Sequence, residues 1–174
     1  MKRITIVAGA RPNFVKVAPL IRAIEKTDGA SYLLVYAGRE DDPTLESSIF
    51  DDLQMPRPTV FLGVDSTSLN EITSRVMAQF DALLNQHPTD VVIVVDDLAS
   101  TMAAAIVTKK RGLQLAHLVA GTRSFNMQMP KEVNRLVIDA LSDYLFTAGV
   151  KNSSVATREQ ATSPKVVSTW WATS

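Results

Sequence analysis

Short apolar runs alternate along the chain with longer stretches in which apolar residues recur at every third or fourth position. Ile4, Ile6 and Val7 form the first apolar run, which ends before Gly9. Residues 13–27 then place apolar side chains along one face of a helix. The same alternation predicts further strands at residues 31–37, 59–62, 91–95, 114–118, 144–147 and 164–167. It predicts further helices at residues 43–53, 69–86, 100–110, 130–141 and 150–159.

The run at residues 91–95, Val-Val-Ile-Val-Val, indicates how the sheet is organised. An unbroken series of β-branched residues is typical of a strand that is buried on both faces, as in the interior of a parallel sheet. Strands that alternate with helices favour a doubly wound α/β fold. We therefore expect one Rossmann-like domain over residues 1–174. Its parallel sheet should have about six or seven strands, with helices on both faces.

Parallel strands joined by right-handed crossovers bring every strand-to-helix loop to one edge of the sheet. Ligands of such folds bind at that edge, near the point where the strand order reverses. The polar residues predicted to meet there are Arg11, Arg39, Asp96, Asp97, Arg123 and Glu132.

The turn at Gly9 is the first candidate site, because it places a helix N-terminus at the carboxyl end of a strand. Free backbone N–H groups and the helix dipole favour anions at such a position. Arg11 and Lys16 add positive charge nearby. The alternative is an ordinary strand–turn–helix unit whose basic residues are solvated.

The composition of the chain argues against several classes of binding partner. The formal net charge is zero, which argues against a broad nucleic-acid interface. With no cysteine and two histidines, a metal site is not expected. The N-terminus lacks the pattern of a signal peptide and no apolar run is long enough to span a bilayer, so we expect a cytoplasmic protein without membrane association. The Gly-rich fingerprints of dinucleotide-binding proteins and P-loop NTPases are also missing.

An ordered series of short motifs runs from the first turn to the helix at residues 130–141. It comprises Gly9-Ala10-Arg11-Pro12 with Lys16 and Ala18-Pro19-Leu20, then Leu69-Asn70-Glu71-Ile72-Thr73, Pro88-Thr89-Asp90-Val91, Ala120-Gly121 with Arg123, and Pro130-Lys131-Glu132-Val133-Asn134-Arg135. In this order the series resembles the non-hydrolysing UDP-N-acetylglucosamine 2-epimerases.

The resemblance implies an enzyme of GT-B type, in which two Rossmann-like domains enclose a cleft, and this chain corresponds to the N-terminal half. Members of the family invert C2 of UDP-N-acetylglucosamine by eliminating UDP to a glycal and adding it back, and the product supplies envelope polysaccharides. No external cofactor is used. The reaction needs carboxylates for proton transfer and cations for the departing UDP.

By the same resemblance, Asp97 and Glu132 are the expected catalytic residues, and the expected substrate-binding residues are Arg11, Lys16, Arg123 and Arg135. Each has a structural alternative. Asp97 can cap the following helix, and Glu132 can be an acid favoured by the dipole of its own helix.

Ion pairs offer the alternative for the two later arginines. Arg123 and Arg135 can lie at the surface or pair with Asp139 and Asp143. His117, inside a predicted strand, is expected to be a structural histidine with its hydrogen bonds satisfied.

Several positions depart from the family pattern. Val119 stands where the family has a functional Glu, and a valine cannot move a proton. Val95 and Asp96 replace a His-Gly pair, Asn13 replaces a Glu, and Arg39-Glu40 replaces a Gln-His pair. The family's second domain, which holds most of the nucleotide contacts, has no counterpart in this chain.

These departures leave three functions open. The chain can be an epimerase N-terminal domain that is inactive until a second domain or chain joins it. It can instead be a non-catalytic binding, regulatory or assembly subunit, or a general binder of UDP-sugars or other anionic small molecules.

Residues 168–174 include Trp170 and Trp171 and are expected to dock on this sheet or on a partner. Docking on a partner would give a homodimer or a complex with a C-terminal-domain chain, and we expect a homodimer.

Overall fold

A parallel sheet forms the centre of the protein, as expected from the run at residues 91–95. The computed structural model describes residues 1–147 and 149, together with the backbone of 165–168. Within this part, the strands are β1 (Lys2–Ala8), β2 (Ala30–Tyr36), β3 (Val60–Phe61), β4 (Val91–Val95), β5 (Gln114–Ala120), β6 (Tyr144–Thr147) and β7 (Lys165–Ser168). The helices are α1 (Asn13–Glu25), α2 (Ser47–Asp52), α3 (Leu69–Gln86), α4 (Ala99–Lys110) and α5 (Pro130–Leu141).

The described strands form one sheet in the order β3-β2-β1-β4-β5-β6-β7, and every pairing in it is parallel. The chain builds outward from β1 in one direction as far as β3 and then crosses to β4 on the other side. The order therefore reverses between β1 and β4. The loops that follow these two strands flank the crevice where doubly wound sheets bind ligands.

Successive residues of β1 point to opposite faces of the sheet, and each face has its own core. Ile6 packs with Phe14 and Leu34 under α1 and α2. Val7 packs with Phe80 and Val94 under α3 and α4. This two-sided burial confirms the predicted doubly wound α/β fold with helices on both faces.

The start of α3 agrees closely with the sequence. The Ser68 side chain accepts a hydrogen bond of 3.3 Å from the Glu71 backbone N–H, which is the serine half of a capping box. The Glu71 carboxylate accepts instead from the Ser66 hydroxyl. The start of α2 differs, because that helix begins at Ser47 rather than near Pro43. The Asp42 carboxylate accepts hydrogen bonds from the backbone N–H and the hydroxyl of Thr44, which stabilises a turn there instead.

The helix expected at residues 150–159 and the segment 168–174 with its tryptophans lie outside the described residues, apart from the backbone of Ser168.

Replacing the capping serine should weaken the protein measurably. Ser68→Ala removes the side-chain acceptor and is expected to lower the free energy of unfolding by about 1 kcal/mol. Ser68→Gly is the matched comparison and should cost only a few tenths of a kcal/mol, because glycine tolerates the non-helical cap backbone. Urea denaturation followed by circular dichroism measures both. Equal losses for the two variants would contradict the capping role.

Candidate functional site

The turn after β1 is held by the first residue of α1. Asn13 is buried, and its side-chain oxygen accepts hydrogen bonds from the backbone N–H groups of Gly9 (2.8 Å) and Ala10 (3.1 Å). Gly9 itself is required by close packing, since a Cβ there would lie 2.2 Å from the Ser100 hydroxyl at the start of α4. The backbone donors that were expected to face an anion are thus engaged by Asn13.

Asp96, directly after β4, reaches across the switch point to α1. One carboxylate oxygen lies 2.5 Å from the Lys16 ammonium, and the other accepts a 2.7 Å hydrogen bond from the Asn13 amide nitrogen. The backbone of Asp96 is left-handed, with φ of 61°. This conformation suits glycine and is tolerated by aspartate. The glycine of the related motif would suit the same backbone, and in this chain the conformation directs the Asp96 side chain toward Lys16.

The two predicted catalytic carboxylates are linked by one of the predicted cations. Arg135 donates to Asp97 from Nε at 2.8 Å and to Glu132 from Nη1 at 3.1 Å. The Asn134 side chain also donates to the Asp97 carbonyl oxygen at 2.8 Å. Residue Leu98, and not Asp97, is the N-cap of α4. The Asp97 carboxylate is therefore held toward α5 by an arginine and remains partly exposed.

Glu132 has a buried carboxylate that organises the loop before α5. It accepts hydrogen bonds from the backbone N–H groups of Ser124 (2.9 Å) and Phe125 (3.0 Å) and from the Ser124 hydroxyl (3.0 Å). Burial alone would raise the pKa of Glu132. The backbone donors, the hydroxyl and Arg135 outweigh it and hold the pKa below its usual value. Glu132 is consequently ionised and saturated with donors in this structure.

A buried charged network lies behind this edge. His117 contacts Asp139 through Nδ1 at 2.5 Å and the Asp96 carbonyl oxygen through Nε2 at 2.8 Å. The second Asp139 oxygen accepts from Arg123 at 2.7 Å and from the Gly121 backbone at 3.0 Å. Burial acts to raise the pKa of Asp139, but His117 and Arg123 lower it below its ordinary value. His117 is thus a structural histidine, as predicted, and it fixes the backbone of Asp96.

A separate cavity of about 450 Å³ opens at the same edge, between the ends of β1 and β2 and the first turns of α3 and α4. Arg39, at its rim, donates to Asp41 and contacts Asp65 at 3.3 Å. Inside it the Tyr36 hydroxyl donates to Asp42 at 2.7 Å, and burial together with this hydrogen bond raises the pKa of Tyr36. Sequence reasoning singled out Arg39 in this region but did not place a cavity there.

The structure brings Asp97, Glu132 and Arg135 together and sets Lys16 against Asp96. Arg123 takes the alternative that was open for it, because it pairs with Asp139 and its side chain is only 3% exposed. The remaining predicted residue, Arg11, is exposed at the mouth of the turn. It makes no ion pair with any residue in the described ranges.

Sequence reasoning missed the direct contact of Asp96 with Lys16. The available signal was the aspartate at a position where the related motif has glycine, which indicates a left-handed backbone. Among the described residues, no group of three or more metal-ligating side chains converges. In the same part of the chain, every helix is too short or too polar to cross a membrane.

The reversal of strand order, the polar carboxyl edge and the flanking helices define a Rossmann-like, doubly wound α/β domain. The family model for UDP-N-acetylglucosamine 2-epimerase matches residues 22–169. The chain therefore belongs to the UDP-N-acetylglucosamine 2-epimerase family, as the ordered motifs predicted.

Individual relatives agree with this assignment. The chain is 33% identical over 144 residues to the UDP-N-acetylglucosamine 2-epimerase of Methanocaldococcus jannaschii, covering 83% of this chain and 39% of that protein. It is 34% identical over 146 residues to the UDP-2,3-diacetamido-2,3-dideoxy-D-glucuronate 2-epimerase of Pseudomonas aeruginosa, covering 84% of this chain and 41% of the relative.

A solved structure of the Methanocaldococcus jannaschii enzyme in complex with UDP-GlcNAc and UDP superposes with a TM-score of 0.88 at 30% identity. The match covers 95% of this chain and 46% of that one. The chain thus corresponds to the N-terminal half of the family fold and spans less than half the length of these relatives.

Proposed function

We propose that this chain supplies the N-terminal half of a UDP-sugar 2-epimerase and catalyses the reaction only together with a second domain. The observation that carries the proposal is the linked set of Asp97, Arg135 and Glu132 at the carboxyl edge of the sheet, beside the switch point. The order of the motifs and the family match support it. The second half of the family fold would form the opposite wall of the cleft.

The roles follow from exposure and charge. Epimerisation removes the proton at C2 while the C1–O bond to UDP breaks, and the glycal then accepts UDP and a proton on the other face. The Asp97 side chain is 16% exposed, against 2% for Glu132, so Asp97 is the carboxylate that can reach C2. Glu132 supports it by orienting Arg135.

Cationic side chains would stabilise the negative charge on the departing diphosphate. Arg11 is exposed at the mouth of the turn and Lys16 lies at its side, so both are placed to face a phosphate group. Arg135 sits closer to Asp97 and would contact the sugar end of the ligand. Arg123, enclosed with Asp139, contributes by positioning the turn after β5.

The class of substrate follows from the relatives. Two proteins of nearly equal identity to this chain are named for different substrates, UDP-N-acetylglucosamine and UDP-2,3-diacetamido-2,3-dideoxy-D-glucuronate. The part that these share is UDP joined to an acetamido sugar. We assign that class to this chain, with no cofactor and a cytoplasmic location.

A second candidate is a non-catalytic binding, regulatory or assembly subunit. Val119 favours it, because a valine stands in place of the family's functional Glu. The residue also has a left-handed backbone, with φ of 71°. A β-branched residue is strained in this conformation. A homodimer or a complex with a C-terminal-domain chain fits either candidate.

An epimerisation assay separates the candidates. The chain should not turn over UDP-N-acetylglucosamine alone, and turnover should appear when the C-terminal half of a relative is supplied. Asp97→Asn should then lower kcat by about a hundredfold or more, because it removes a general acid–base group. Asp90→Asn, at the other end of β4, is the matched control and should leave kcat unchanged.

Each other outcome has a definite meaning. Turnover by the chain alone would contradict the need for a second domain. Absence of turnover with the second half present, combined with measurable UDP binding, would favour the non-catalytic subunit.

A further inference from the structure

The Asp96 carboxylate lies against two side-chain donors at the start of α1. Without it, these donors could bind a ligand. The carboxylate accepts the Lys16 ammonium at 2.5 Å and the Asn13 amide at 2.7 Å. These are the kinds of donor that hold a phosphate oxygen: a cation and a neutral N–H group. The protein has therefore filled an arrangement suited to an anion with a carboxylate of its own.

The backbone of Asp96 is fixed in the orientation that this contact needs. Its N–H donates to the Leu118 carbonyl oxygen at 3.2 Å, and its carbonyl oxygen accepts from His117 at 2.8 Å. His117 is in turn held by Asp139. Because the main chain is clamped on both sides, the carboxylate can leave Lys16 only by rotating its side chain.

Electrostatics makes the carboxylate a competitor of any incoming anion. The side chains of Lys16 and Asp96 are 31% and 17% exposed, so the pair is accessible but partly desolvated. A phosphate that approaches Lys16 must either displace the Asp96 carboxylate or lie next to it. Two negative groups next to each other repel. A neutral ligand group meets no such penalty.

We propose that Asp96 is a specificity-determining residue which competes with anionic groups for Lys16, so that removing its carboxylate strengthens the binding of a diphosphate there. The inference rests on the proposed role of Lys16 as a contact for the diphosphate of a UDP-sugar. A glycine at position 96 has no carboxylate and would not compete for Lys16.

The test is a calorimetric titration of inorganic pyrophosphate, and separately of UDP, against the full chain. Asp96→Gly should keep the turn, because glycine readily adopts a φ of 61°. Asp96→Asn keeps the side-chain shape and removes the charge, so it carries the test if the glycine variant is poorly folded. Both are expected to bind pyrophosphate about tenfold tighter than the wild type.

Two controls make the result specific. Asp90→Asn removes an arginine-paired carboxylate from the opposite end of β4 and changes the net charge equally. It should not tighten binding. The double variant Lys16→Met with Asp96→Gly should lose the gain, because the freed cation is then missing. Urea denaturation of every variant checks that the fold is retained.

Unchanged pyrophosphate affinity in both Asp96 variants would overturn the proposal. So would an equal gain in the Asp90→Asn variant, since the effect would then come from net charge alone. The titration requires no turnover, so its outcome is independent of the epimerisation assay. Tighter pyrophosphate binding without catalysis would support the role of Asp96 while the proposed epimerase function fails.

Discussion

Asp139→Leu is expected to lower the free energy of unfolding by about 3–5 kcal/mol, the range typical of breaking a buried ion pair. Leucine has a similar size but leaves His117 and Arg123 inside the protein without the carboxylate that pairs with both. The side chains of these two residues are 1% and 3% exposed, so water cannot replace the lost contact. Urea denaturation at neutral pH measures the effect.

The pH dependence of this loss gives an independent check. The folded state holds the pKa of Asp139 below its unfolded value, because His117 and Arg123 favour the charged form. The stabilisation is therefore fully present above the unfolded pKa of about 4 and is lost as the pH falls through the folded value. The difference between wild type and Asp139→Leu should shrink on acidification over that window.

An exposed ion pair provides the matched control. Asp81 pairs with Arg111 at 2.6 Å on the surface, and its side chain is 56% exposed. Asp81→Leu should cost less than about 1 kcal/mol, because solvent screens such pairs. If both substitutions destabilised the protein equally, the buried network would not have the importance assigned to it.

Glu132→Gln is expected to lower the free energy of unfolding by about 2–3 kcal/mol, since buried donors lose their acceptor. The carboxylate uses both oxygens to accept from the Ser124 and Phe125 backbones. A glutamine side chain has one acceptor oxygen and turns an N–H group toward the other donor. Hydrogen exchange at these two amides should accelerate with the loss of stability.

The exposed Glu71 is the comparison for this substitution. Its side chain is 51% exposed and pairs with Arg75 at 3.3 Å. Glu71→Gln should change stability by less than about 1 kcal/mol. Unaltered exchange at Ser124 and Phe125 in Glu132→Gln would show that the loop does not depend on the carboxylate.

The fold could be predicted from the sequence because its signals are local. The β-branched run of β4 and the periodicity of α3 each indicate one element without reference to the rest of the chain. The start of α2 could not be predicted, because the Asp42 side chain can stabilise a turn at Thr44 in place of a helix. Which of the two forms depends on packing with the rest of the chain. The family fold followed from the order of the motifs.

The site was less predictable because its contacts join distant parts of the chain. Arg123 could be matched with Asp139, but Arg135 pairs with Asp97 and not with Asp143, which binds Lys109 instead. Such choices depend on which strands are neighbours. Lys16 meets Asp96 because β1 lies next to β4 in the sheet.

The contacts at the carboxyl edge differ widely in sequence separation, which has a consequence for folding. Glu132 and the backbone of Phe125 are 7 positions apart, so closing that loop needs only α5 and the segment before it. Lys16 and Asp96 are 80 positions apart and meet only after β1 has paired with β4. Because long loops cost more entropy to close, the Glu132 side of the edge can form early and the Lys16 side forms late. A chain that refolds from the denatured state would therefore form an ordered turn at one end of its ligand edge before the sheet that completes this edge exists.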